Sequence, residues 1–171
     1  MKKGLNNRYG GILIMYVIFI IVSFISRTVL LGMSFHDVNL GLSGLLWAYG
    51  VGLFFDTVAF SYFMIPYVIF LLFVSDLVFN SIAHKWFAYV VYFITFYIFL
   101  FNGVSEYFFW EEFGVRYNFI AVDYLVYTTE VIGNIRESYP LPTLIGSILI
   151  IDAAIMFFVI KRKLFKPSLE S

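Results

Sequence analysis

Arg27, Asp56 and Asp152 are ionisable side chains set inside long apolar runs of this chain. A charge at the centre of a bilayer costs about 2.5–3.5 kcal/mol on insertion scales, so each of the three needs a partner or a wet cavity. Arg27 falls near the end of the first run and Asp56 near the start of the second. That places them at similar depth and makes them natural ion-pair partners. Such a pair has two uses: it glues two helices together, or it forms the floor of a polar site. Gly44, Ala48, Gly52 and Asp56 recur every four residues and so share one helical face. Small residues at that spacing let another backbone approach, which is the packing reading. Asp152 sits near the middle of the last run, beside Ala153 and Ala154, and the sequence assigns it no partner.

A second group of polar residues lies between the third and fourth apolar runs. Arg116, Asp123, Tyr127, Glu130, Asn134 and Glu137 follow one another at steps of seven, four, three, four and three. Those steps put them on one side of a helix, if it is continuous. Ile120, Val122, Val126, Thr129 and Ile132 lie largely off that stripe, so the helix would rest apolar side down in the membrane interface. Its polar side could hold a lipid head group: Arg116 and Arg136 would take phosphate, and Asp123, Glu130 and Glu137 an amine. The plain alternative is a solvated amphipathic face.

Other chemistry finds less support. The chain has no Cys, which removes thiol catalysis, thiolate metal sites and disulfides. No P-loop, dinucleotide-binding glycine pattern, HExxH or zinc spacing occurs. Zero formal net charge gives no global basic field for nucleic acid.

The elements that must position these residues are membrane helices. Of 171 residues, 62% are hydrophobic and only 13% charged, against roughly 25% charged in a soluble domain. Runs at about 10–33, 86–106 and 141–160 each suit the ~20 residues that a span needs. The stretch 41–79 is long for one helix and short for two. Charge distribution decides for one span, at about 48–75, with Pro66 as an internal kink. Every Lys then faces the cytoplasm, while Glu106, Glu111, Glu112, Asp123, Glu130 and Glu137 face outward on segment 106–140. The same topology puts His36 and His84 on opposite sides, which counts against a compact intramembrane enzyme. Lys2, Lys3 and Arg8 precede an uncharged stretch longer than a signal-peptide core, so the first span is expected to be an uncleaved anchor. The expected fold class is all-α: a polytopic membrane bundle of four transmembrane helices, with an outward amphipathic interfacial segment between the third and fourth. It forms a single membrane domain with no soluble domain.

One string in the outward segment carries a resemblance. RYNFIAVDYLVYTTEVIGNIRESYP, from Arg116 to Pro140, resembles the outward loop of the bacterial lipoteichoic-acid-synthase-like sulfatases. That family includes phosphoglycerol and phosphoethanolamine transferases of the alkaline phosphatase superfamily. GLFFDTVAFSY, containing Asp56, is similar to the family's second span. The resemblance implies five membrane helices followed by an extracytoplasmic catalytic domain with a Thr nucleophile and a divalent metal. This chain is expected to cover only the first four helices, so no catalytic residue, metal ligand or cofactor carries over to it. What carries over is anchorage in the inner membrane, with both termini cytoplasmic, and presentation of lipid to a sulfatase-like domain in cis or trans. The implied head-group positions are Arg116, Asn118, Asp123, Tyr124, Tyr127, Glu130, Asn134 and Arg136. The competing reading is a self-contained small membrane protein, such as a transporter subunit or an assembly partner.

Overall fold

The computed structural model describes residues 8–35, 41–126, 133, 135–165 and 169. Four long helices dominate: α1 (Gly10–Met33), α2 (Leu42–Phe73), α4 (Ile82–Phe113) and α6 (Leu141–Lys161). Two short ones, α3 (Asp76–Phe79) and α5 (Phe119–Val126), sit in the connections, and no strand occurs among the described residues. All four long helices are long and apolar enough to cross a membrane. The chain is thus an all-α, multi-pass membrane bundle.

Pro66 lies inside α2 without dividing it, so 42–73 is one helix of 32 residues. Both α2 and α4 exceed the expected lengths. At 1.5 Å per residue, 32 residues extend about 48 Å, well beyond a ~30 Å hydrocarbon core. The excess of α4 matters most. It carries the helix past Glu106, Glu111 and Glu112 to Phe113, so these carboxylates stand on a helix and not in a loop.

The bundle has two unlike ends. Arg8, His84, Lys85, Lys161, Arg162 and Lys163 gather where α1 and α4 begin and where α2 and α6 finish, the basic end. Glu106, Glu111 and Glu112 mark the opposite, acidic end. The main core cluster is biased to the basic half. It joins Met15 of α1 to Phe60, Met64, Tyr67 and Leu71 of α2, Ala88, Tyr92, Phe96 and Phe99 of α4, and Met156 and Val159 of α6. Helix α4 is central, with α1 and α6 as its main neighbours, and α1 also carries α2.

Local chemistry closes the basic end. Arg8 donates to the carbonyls of Leu71 (3.3 Å) and Val74 (3.2 Å), capping α2 where its dipole is negative, and pairs with Asp76. Its guanidinium also lies over the Phe79 ring, 4.9 Å from the centroid. Beyond α6, Lys163 adopts a left-handed backbone (φ 54°), and Leu164 N–H donates to Val159 O at 3.1 Å. The reversed chain lays Phe165 against Tyr92, with ring centroids 4.1 Å apart. Ser81 starts α4: its hydroxyl accepts from the His84 N–H at 3.1 Å. Loss of this cap in Ser81→Ala should cost about 1 kcal/mol. Detergent-titrated unfolding would measure it, and an unchanged midpoint would show the cap to be redundant.

Candidate functional site

A polar seam joins α1 to α2. Tyr16 shares a hydrogen bond with Thr57 (2.8 Å), and the Thr28 hydroxyl shares one with Tyr49 (3.0 Å). Between them, Asp56 Oδ2 accepts from Ser23 Oγ (2.6 Å) and from Arg27 Nη2 (2.9 Å). The pair is mostly withdrawn from solvent: the two side chains are 13% and 17% exposed. Arg27 also stands over the Tyr49 ring, 5.8 Å from its centroid.

Gly52 has a role that differs from the packing expectation. A Cβ at Gly52 would stand 2.1 Å from the Arg27 guanidinium carbon. What comes close to this small residue is a charged side chain and not another backbone. The physical reason is register: Gly52 lies one turn before Asp56, so the guanidinium crosses Gly52 to reach the carboxylate. Ala48 of the same stripe is exposed.

A second cluster lies where α1 meets α4 at the acidic end. Glu106 is buried, 5% exposed. Its Oε2 accepts from Ser26 Oγ at 2.9 Å, and its Oε1 accepts from Arg116 Nε at 2.5 Å. Gly114 makes this possible. It ends α4 in the left-handed region (φ 64°), a conformation that favours glycine, and turns the chain back along its own helix. Tyr117 then donates to Ser105 Oγ at 2.5 Å and packs on Phe109. Asn118 accepts from the Ile120 N–H at 2.9 Å and so starts α5.

The sequence-based stripe therefore needs correction. Arg116 belongs to the turn 114–118, not to one helix continuous with Asp123, because Gly114 and the Asn118 cap break the helix there. The Asn118 side-chain oxygen is engaged by the Ile120 N–H at the start of α5. Asp123 and Tyr124 lie in α5; their side chains, with Tyr127, Glu130 and Asn134, lie outside the described residues. Arg136 is exposed within the helical stretch 135–138. Ser26 and Glu106 are the members that sequence reasoning missed. The available signal was weak: Glu106 is the first of six acidic residues, and only its ten-residue distance to Arg116 across a glycine hints at a turn.

Burial pushes the Tyr117 phenol above its ordinary 10.0, opposed by the Ser105 hydrogen bond and reinforced by the Glu106 charge. A raised phenol pKa contributes stability that is complete below pH 10.0 and is lost as pH climbs through the folded value. Tyr117→Phe should therefore lose part of the alkaline destabilisation, together with one late step in a phenolate absorbance titration. An identical titration in wild type and variant would refute this. Tyr139 is also raised, by burial first and then by Glu111, Glu112 and Tyr107, and its ring packs 4.6 Å from Phe108.

Asp152 is fully buried on the face of α6 that also buries Ile148, Met156 and Val159. Neither carboxyl oxygen has a hydrogen-bond partner among the described residues. No group of three or more His, Asp or Glu side chains converges as a metal site among the described residues.

Chemically, the arrangement offers one oriented guanidinium. Glu106 occupies its Nε–H, while neither terminal amino group has a protein partner among the described residues; the Arg116 side chain is 45% exposed. Such an edge suits a bidentate oxyanion. Compared with family models, curated proteins and solved structures, the chain matches none.

Proposed function

We propose that this chain is the membrane-anchoring and lipid-presenting domain of a bacterial phospholipid head-group transferase of the sulfatase-like family. The group moved would be phosphoglycerol or phosphoethanolamine. Catalysis and its divalent metal would belong to a sulfatase-like domain in cis or trans. The observation that carries the reading is Arg116, held by a buried carboxylate at the acidic end, with no partner for its amino edge among the described residues. A guanidinium in that state is a phosphate receiver. The separation of charge supports the orientation: basic residues belong on the cytoplasmic side, so the acidic end faces outward from the inner membrane.

The test is head-group turnover in the complete enzyme with Arg116→Ala and Arg136→Ala. At least a tenfold loss is expected for Arg116→Ala, in line with a lost charge-assisted contact. Unchanged turnover in both would reduce the outward segment to a scaffold. Orientation can be checked by single-cysteine labelling, since the chain has no native Cys. Labelling of position 122 from the cytoplasmic side would overturn the topology. Asp152 favours a second reading, a self-contained transport component, because transporters place carboxylates at mid-membrane. Proton-coupled uptake by this chain alone, lost in Asp152→Asn, would distinguish it.

A further inference from the structure

Between α1, α4 and α6, in the acidic half, lies an apolar crevice of about 340 Å3. Val22, Ser26 and Leu30 form one wall, Gly103 and Tyr107 another, and Leu144 closes the α6 side. Val22 and Leu30 stand eight steps apart on α1, roughly 12 Å at 1.5 Å per residue. Apart from Ser26 and Tyr107, every lining residue is apolar, and the crevice lies within the membrane-spanning helices, where the surrounding medium is lipid hydrocarbon, so it suits an acyl chain.

Its polar edge is the cluster described above. Ser26 lines the crevice and donates to Glu106, and Glu106 stands between the lining residues Gly103 and Tyr107 on α4. Arg116 is bound to the other oxygen of the same carboxylate. An apolar slot inside the span thus borders, through Ser26 and Glu106, on an oriented guanidinium whose two amino groups have no partner among the described residues.

We propose that this crevice holds one acyl chain of a glycerophospholipid whose phosphodiester is taken by the amino edge of Arg116. Glu106 is the positioning residue: it fixes the guanidinium through Nε and leaves the other edge to the phosphate. The biological role of this site rests on the lipid-presenting reading above, but its occupancy does not.

The test uses the full chain in nanodiscs that contain a phosphatidylglycerol with a diazirine in one acyl chain. A matched diacylglycerol probe lacks the phosphate, and a matched phosphatidylethanolamine probe shows whether the head group beyond the phosphate matters. Cross-links are mapped by mass spectrometry at Val22 and Val104 and normalised to the exposed Phe54–Phe55 face of α2. The expected result is crevice labelling favoured about tenfold for both phospholipids over diacylglycerol, the scale of a lost charge-assisted contact. Arg116→Gln and Glu106→Leu should remove that preference, and Glu106→Gln, which still accepts from Nε, should restore it. Gly103→Leu should abolish crevice labelling by every probe. A Cβ at Gly103 meets only Val22, at 3.5 Å, an ordinary contact, and Gly103 lines the crevice that the longer side chain would fill. Equal labelling by diacylglycerol and phospholipid, or no enrichment over the Phe54–Phe55 face, would overturn the site. Persistent labelling with no role in turnover would leave the site standing and remove the transferase reading.

Discussion

Asp56→Ala should destabilise the bundle by about 3 kcal/mol, the low end for removing one partner of a buried ion pair. The loss does not measure the attraction between the charges. It arises because Arg27, 13% exposed in the seam, is left without its carboxylate. Hydrogen bonds between membrane helices average only about 0.6 kcal/mol, so loss of the Ser23 contact is the smaller part. Gly52→Leu should act in the same direction without touching either charge, because its Cβ occupies the guanidinium's place. The double variant Arg27→Met/Asp56→Leu should recover most of the loss, since apolar replacements remove both desolvation costs. Unfolding in mixed micelles would measure all three. If the double variant is less stable than Asp56→Ala, the seam is held by attraction and the argument fails.

Asp152→Val should have the opposite sign and raise stability by about 2 kcal/mol. A carboxyl near the helix centre is costly even on the mildest scales, and here neither oxygen recovers a hydrogen bond among the described residues. Valine is somewhat larger, so some overpacking offsets the gain. Since Asp152 has no partner to strand among the described residues, no compensating loss is expected there. The same unfolding measurement decides the matter. A destabilised Asp152→Val would mean that the carboxyl is satisfied by something beyond the described residues, and Asp152→Asn would then be the milder change.

These two carboxylates also show what the sequence could and could not convey. Matching depth was enough to pair Arg27 with Asp56, because two spans separated by only a few residues in sequence must run side by side. The limits of α1 and α6 followed from clean apolar runs. The limits of α2 and α4 did not. Hydropathy marks where lipid ends, not where a helix ends, and α4 continues through Glu111 and Glu112 until the left-handed backbone of Gly114 stops it. The burial of Glu106 was unreadable for the same reason. It depends on a reversal that brings Arg116 back over ten residues to α4, and no helical period encodes a reversal. In the outward segment, the capping role of the Asn118 oxygen was also not legible, because it depends on where α5 starts after the reversal.

The uneven distribution of the core sets where this bundle can breathe. Aromatic and sulfur side chains lock the basic half, and Arg8 and Phe165 bind the chain's flanks to it. The acidic half is held by the α1–α2 seam and the Glu106 cluster, with a crevice between α1, α4 and α6. Regions with fewer buried contacts open locally at lower free energy, so opening should be easier toward the acidic end. Amide hydrogen exchange should rise along α4 from Tyr92 toward Phe109. The basic end, locked by its aromatic core, should keep its slow exchange throughout.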